Sequence, residues 1–338
     1  MGINLSKRLP AIAAGAALSI LAGSAMTLAA NITRDTSRQA FDTAISGKKV
    51  AWVPLWMGVL ESEWTGIMKD QFGQYGISLV TRDPNFNNDA QLQAVSQLID
   101  EKPDVLIVQN NSTTLLAKEL KRASDAGIYV VQMNMASNYV GDAYVGVDYT
   151  QAGHQVADEL IKQCGGGKTS GEVALILGEA TAAPSIEGLK AITDGLKKDP
   201  TVKIVSSQPG DWDANKANQI ATTVLQQYPK LCAIHGFWGP MAAGAAQAVK
   251  NAGRQGDVKV FAISDGQMGD CDLVEQGLFT KALSNRADVQ GITLVNAVLS
   301  LLQGKDKPGD KHLFYFTNNY WIESAKDRGY CYKVDKAK

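Results

Sequence analysis

Short apolar runs alternate along this chain with longer segments whose apolar side chains recur every three or four positions. Residues 48–55 (KKVAWVPL) predict a buried strand. Residues 57–75 then carry Trp64, Ile67, Met68 and Phe72 on one helical face, and Gly76 ends that helix. A second strand follows at 77–81. Residues 89–101 form a clean amphipathic helix, with Leu92, Val95, Leu98 and Ile99 at helical spacing and Pro103 as its breaker. Residues 104–109 (DVLIVQ) predict a third strand, 115–126 a helix closed by Gly127, and 128–133 (IYVVQM) a fourth strand.

The pattern then restarts. Helices are predicted at 151–163, 186–197, 214–227, 241–251 and 289–302. Strands are predicted at 172–177, 202–207, 232–235, 258–263 and 280–284. Apolar strands alternating with helices imply parallel sheets covered on both faces. Two such sets predict an α/β chain of two doubly wound, Rossmann-like lobes. Ligands of such sheets bind beyond the carboxyl ends of the strands, and a cleft between two lobes is the natural pocket.

The N-terminus reads differently. Lys7 and Arg8 precede an apolar run over 9–23, and small residues follow, with cleavage expected after Ala25 or Ala29. That is the layout of a secretory signal peptide. The run is shorter than the roughly 20 residues a membrane span needs. Residues 1–29 are therefore expected to be removed on export, and 30–47, polar and weakly patterned, to form a leader before the fold.

Composition narrows the choice. The 338 residues carry 33 basic and 34 acidic side chains, a formal charge of −1, so no broad basic face for nucleic acid is expected. Three histidines without metal spacing make a histidine metal site an unsuitable reading. Residues 165–169 (GGGKT) fail as a phosphate loop: Lys162 stands where its first glycine should be, and the segment leaves a helix rather than a strand. No Gly-x-Ser-x-Gly elbow occurs, and no catalytic constellation is found, so the chain is read as a binding protein without cofactor or metal.

The residues just after the strands form an unusual set. They include Trp56, Glu61, Trp64, Gln109, Asn110, Asn134, Met135, Trp212, Trp238, Asp265 and Asn285. Four of the six tryptophans are among them. Indole rings offer flat apolar faces, and amides and carboxylates offer directional donors and acceptors. Together they suit a ligand with C–H faces and a rim of hydroxyls, a sugar or polyol. The alternative is that the tryptophans pack surfaces and the amides form turns.

In their order and spacing, the segments DVLIVQNNS, IYVVQMN, YVGVDYTQAG, QPGDWD, VFAISDG and KALSNRADVQG resemble the periplasmic sugar-binding proteins of ABC transporters. The likeness is to the ribose- and galactose-binding, type I periplasmic binding protein family, over about residues 48–325. It implies two lobes joined by a three-segment hinge, with crossings near 146–148, Asn285 and 316–319. The N-terminal lobe would comprise 48–147 with 286–316, and the C-terminal lobe 148–285 with 317–338. It also implies a monomer in the periplasm that hands its ligand to a membrane permease and binds no nucleic acid.

Carried over position by position, Glu61 and Trp64 fall on the family's first helix, where it presents a polar group and a stacking aromatic. Gln109 matches the amide after the third strand, Trp212 a stacking aromatic, Asp265 the aspartate of an FDG-like turn, and Asn285 an amide near the hinge. Trp238 stands where an asparagine is usual. Asn134 and Met135 replace an Asp-Arg pair, and Ser185 stands where a second arginine is expected. Losing both guanidiniums removes bidentate donors for ring hydroxyls. Acids and aromatics then remain without a matching cation, which opens the site to ligands other than ribose or galactose, amino sugars included.

Cys164, Cys232, Cys271 and Cys331 form an even set for which three connectivities are open. Fold position brings Cys164 and Cys232 together, leaving Cys271 with Cys331; four buried free thiols are the alternative. Rival functions are a ligand-presenting sensor for a chemoreceptor or kinase, a secreted carbohydrate-active enzyme, and a repressor, which would need a DNA-binding helix-turn-helix where the signal peptide stands.

Overall fold

A computed structural model describes residues 36–333. The chain divides at Ser46 and Gly47 into two units. In the first, residues 36–45, within the leader expected over 30–47, are helical (α1). The signal-peptide expectation lies outside the described residues. No helix of the described residues is long and apolar enough to cross a membrane.

The second unit holds two six-stranded sheets. The first contains β1 (Lys49–Val53), β2 (Ser78–Thr81), β3 (Val105–Val108), β4 (Tyr129–Met133), β5 (Ala143–Val147) and β11 (Leu313–Thr317), in the order β11-β5-β4-β3-β1-β2. All its pairings are parallel. The second contains β6 (Glu172–Leu177), β7 (Lys203–Pro209), β8 (Ala233–Gly236), β9 (Lys259–Ser264), β10 (Lys281–Ser284) and β12 (Tyr320–Ile322), in the order β12-β10-β9-β8-β6-β7. Only β12 runs antiparallel, against β10. The central strands read as continuous apolar runs because helices cover both faces; every residue of β3 (VLIV) is buried.

The helices are α2 (Val59–Gln74), α3 (Asn88–Asp100), α4 (Ala117–Asp125), α5 (Tyr149–Cys164), α6 (Ala183–Leu196), α7 (Ala214–Gln227), α8 (Gly239–Asn251), α9 (Met268–Glu275) and α10 (Ala287–Gln303). Several start on side-chain caps. Asn87, Asp148 and Asp213 accept from the backbone N–H groups of Ala90, Gln151 and Lys216. Strands β5, β11 and β12 and helix α9 were not expected from the sequence pattern. Each is short, and β11 is an edge strand with a half-polar burial pattern, so periodicity had little to act on.

The chain passes between the sheets three times: after β5, after β10 and between β11 and β12. The passages meet at Thr317, whose hydroxyl donates to the carbonyl of Gly146 at 3.3 Å and lies 3.5 Å from that of Asn285. Two disulfides, Cys164–Cys232 and Cys271–Cys331, close spans of 68 and 60 residues in the second half. Spans of that length constrain the unfolded chain by about 4 kcal/mol each in the loop-entropy model.

Candidate functional site

The carboxyl ends of the two sheets face a common cavity with about 460 Å3 of empty space, its mouth included. From the first-sheet side come Leu55, Trp56, Leu60, Glu61, Phe86, Gln109, Asn134 and Met135. From the second come Trp212, Phe237, Trp238, Ile263 and Asp265, with Tyr149 and Asn285 at the passages between the sheets. Leu55, Met135 and Ala182 form a small buried cluster against which Trp56 and Trp212 pack, so side chains of the two halves are in contact at the cavity wall.

Each tryptophan is placed by local backbone. Trp56 sits over Gly58, where an added Cβ would lie 2.5 Å from Trp56 Cε2. Its ring meets Phe86, with centroids 4.9 Å apart. Trp212 lies over Gly178 at the end of β6, where a Cβ would stand 2.0 Å from Trp212 Cη2. Asp211 and Trp212 both have left-handed backbone (φ 52° and 61°). Non-glycine residues adopt that region at a cost of roughly 1–2 kcal/mol each, and such strain persists where it serves a site. Trp238 precedes α8 and stands edge-on to Trp212, with centroids 6.5 Å apart. Its indole N–H donates to Asp265 Oδ2 at 2.9 Å.

The polar groups are held from behind. Gln109 Oε1 accepts from the Leu55 N–H at 3.1 Å, and the Gln109 side chain also bonds Glu61. Asn134 has left-handed backbone and packs so tightly on Gly146 that a Cβ there would lie 2.6 Å from the Asn134 Cα. Its amide also bonds the Tyr149 side chain. The turn bearing Asp265 is braced by the C-terminal segment. Tyr332 N–H donates to the Gly266 carbonyl at 2.8 Å, Met268 N–H donates to the Tyr332 carbonyl at 2.9 Å, and Cys271–Cys331 ties the two pieces together.

Charge in the cavity is one-sided. Burial pushes the Glu61 carboxyl up to about 8, and the charge of Asp265 adds to the effect. Burial pushes Asp265 up to about 7, aided by Asp270, while bonds from Trp238 and Asn285 oppose the rise. Asp270 is itself raised to about 6, chiefly by burial. Three lining atoms have no hydrogen-bond partner: Glu61 Oε2, Trp212 Nε1 and Asn285 Oδ1. A buried polar atom without a partner is costly, and here acceptors and a donor await one in the same space.

Two expected site residues stand elsewhere. Trp64 is fully buried between α2 and α10, edge-on to Trp52 and donating to the Ala287 carbonyl at 3.0 Å. Glu61 lies one turn earlier, where α2 meets the cavity, whereas Trp64 is packed deeper against α10. Asn110 is also fully buried, and its amide N–H2 group donates to Gln132 Oε1 at 3.0 Å and the Met135 carbonyl at 2.8 Å. It fastens the loop that carries Met135 and does not line the cavity. Leu55, Leu60, Phe86, Tyr149, Phe237 and Ile263 were not predicted. Tyr149 and Phe237 each sit within two residues of a strand end, the signal by which they could have been found.

The sequence matches the periplasmic binding protein domain family over residues 61–306. It is 34% identical to the D-allose-binding periplasmic protein of Escherichia coli (strain K12) over 232 residues, 66% of this chain and 73% of that protein. It is 28% identical to a D-ribose/D-allose-binding protein of Pseudomonas aeruginosa over 229 residues, 66% of this chain and 70% of that protein. In fold it resembles the Caulobacter myo-inositol-binding protein bound to myo-inositol, with a TM-score of 0.75 and 19% identity over 85% of this chain and 96% of that one. A solute-binding protein from Actinobacillus succinogenes with bound D-allose superposes with a TM-score of 0.72 at 21% identity, over 83% and 99% of the two chains. With the family matched across most of its length and its two parallel sheets arranged about one cavity, this chain belongs to the type I periplasmic binding protein family.

Proposed function

We propose that this protein is the periplasmic substrate-binding component of an ABC transporter, capturing a sugar or sugar-like polyol between two lobes and delivering it to a membrane permease. The N-terminal lobe is built on the first sheet (48–147 with 286–316) and the C-terminal lobe on the second (148–285 with 317–338). The signal peptide directs export, and the mature chain acts as a monomer.

One observation carries this reading. Three indoles and the unpartnered atoms Glu61 Oε2, Trp212 Nε1 and Asn285 Oδ1 surround one cavity lined from both sheets. Trp faces pack against C–H surfaces, while carboxylates and amides bond hydroxyls. The ligand-binding set is Trp56, Glu61, Gln109, Asn134, Met135, Trp212, Trp238, Asp265 and Asn285. A micromolar ligand requires about −8 kcal/mol. Two or three stacked faces and several hydrogen bonds to charged groups, roughly 1–3 kcal/mol each, reach that scale before ordering costs. Because the contacts come from both halves, a ligand favours the closed arrangement by its differential affinity for it.

A thermal-shift screen of aldoses, ketoses, inositols and amino sugars tests the proposal, since binding to the native state raises the melting temperature. At least one such compound should raise it in a saturable manner. A screen in which none does, or in which the best compound is chemically turned over, would contradict the reading.

A further inference from the structure

We infer that the natural ligand carries a protonated nitrogen on its polyol frame, seated between Glu61 of the first half and Asp265 of the second. This inference rests on the binding role proposed above and narrows its substrate class.

The geometry supplies the argument. Glu61 and Asp265 line the same cavity from opposite sides and are only 3% and 4% exposed. No lysine, arginine or histidine lines that cavity among the described residues. The charged groups acting on the two carboxyls are carboxyls themselves: Asp265 acts on Glu61, and Asp270 acts on Asp265. Met135 and Ser185, where the resemblance leads one to expect arginines, bring no charge. Ser185 is buried with its hydroxyl unpartnered.

Closing this cavity over a neutral ligand leaves two buried carboxyls without a counter-charge, a costly arrangement unless one takes up a proton. A ligand cation removes that cost. An ammonium also offers N–H donors and no acceptor. Glu61 Oε2 and Asn285 Oδ1 are acceptors without a donor. The indole faces of Trp56, Trp212 and Trp238 favour the same charge. Acid pair, empty acceptors and aromatic walls thus agree on one kind of group, and the closing motion itself would discriminate between charged and neutral polyols.

The test is isothermal titration calorimetry at pH 7 with matched pairs. D-glucosamine, D-galactosamine and D-mannosamine are each measured beside the parent hexose, and 1-deoxynojirimycin beside 1,5-anhydro-D-glucitol. The nitrogen-bearing member of at least one pair should bind at least tenfold more tightly than its neutral partner. Glu61→Gln and Asp265→Asn, confirmed as folded by their melting curves, should each shrink that ratio severalfold. Neutral members binding as well as or better than their amines would overturn this inference and leave the binding role standing. If no member of any pair binds the wild type, the inference falls, and the binding role stands or falls by the wider thermal-shift screen. A preference for the amine that survives in both variants would place the cation elsewhere and also overturn the inference.

Discussion

The backbone N–H of Thr113, just beyond β3 of the first sheet, donates at 2.9 Å to the carbonyl of Thr181, just beyond β6 of the second. Beside it, Leu55 and Met135 from one half pack on Ala182 from the other. The two halves thus meet at the cavity rim through this hydrogen bond and a small apolar cluster, and the Asn134 amide of the first half bonds the Tyr149 side chain of the second. Each such bond contributes only about 1 kcal/mol net, so a ligand that touches both halves adds to the closing energy.

Trp212 and Asp265 should carry a large share of it. Trp212→Ala removes an indole that borders both Gly178 and Trp238, and Asp265→Ala removes the acceptor of the Trp238 N–H. Each variant should abolish the thermal shift given by the best ligand of the screen while remaining folded. If both retain the shift, the binding site lies elsewhere.

Gly178 offers a subtler probe. Its Cα faces the Trp212 ring so closely that a methyl group would overlap it. Gly178→Ala should displace the indole and weaken binding about tenfold or more. In a Trp212→Ala background the same substitution should have little further effect on affinity. Equal losses in the two backgrounds would show that Gly178 acts by another route. The coupling is readable as a double-mutant cycle.

Trp64 should behave as a core residue. Trp64→Phe loses its bond to the Ala287 carbonyl and part of the packing between α2 and α10. It should lower stability by about 1–3 kcal/mol in a denaturant titration, with ligand affinity changed less than about threefold. A large affinity loss at unchanged stability would return Trp64 to the binding site.

How far the sequence revealed this arrangement depended on the kind of signal. Long periodic segments such as 89–101, and continuous apolar strands such as 104–109, were legible because burial on one or both faces dictates their pattern. Strands β5, β11 and β12 were not legible: they are short, and two of them are sheet-edge elements. Residues placed by strand ends, such as Asp265 and Trp238, reached the cavity because topology alone puts them there. Trp64 misled because a tryptophan three residues from Glu61 on a helix looks like part of the same site, whereas it lies one turn further along and packs deeper, against α10. Asn110 misled because a buried amide that fastens a loop has the same chemistry as one that meets a ligand. Phe86 carried no signal: it lies in the loop after β2 with left-handed backbone (φ 58°).

The pH dependence of the ligand-free protein follows from the carboxyls. Burial, with the charge of Asp265, raises Glu61 from 4.5 to about 8, and burial, with Asp270, raises Asp265 from 3.8 to about 7. A carboxyl whose folded value is raised holds its proton more tightly in the native state. Its contribution to stability is therefore complete below the unfolded value and is lost as pH rises to the folded one. Stability of the closed, empty protein should fall between about pH 4 and pH 8. Each such carboxyl adds to the decline within its window, less any relief gained by opening. Melting temperatures across that range should decline, and Glu61→Gln should flatten the decline. A wild-type curve that rises across the window would mean that a counter-charge already compensates the pair.

A crystal structure of the protein with the best ligand from the thermal-shift screen tests the central claim most directly. The account predicts ligand density between Trp56 and the Trp212–Trp238 pair, with polar ligand atoms within 3.5 Å of Asp265 and Asn285 and contacts from both sheets. Ligand bound on the outer face of one sheet, or touching only one half of the molecule, would contradict it.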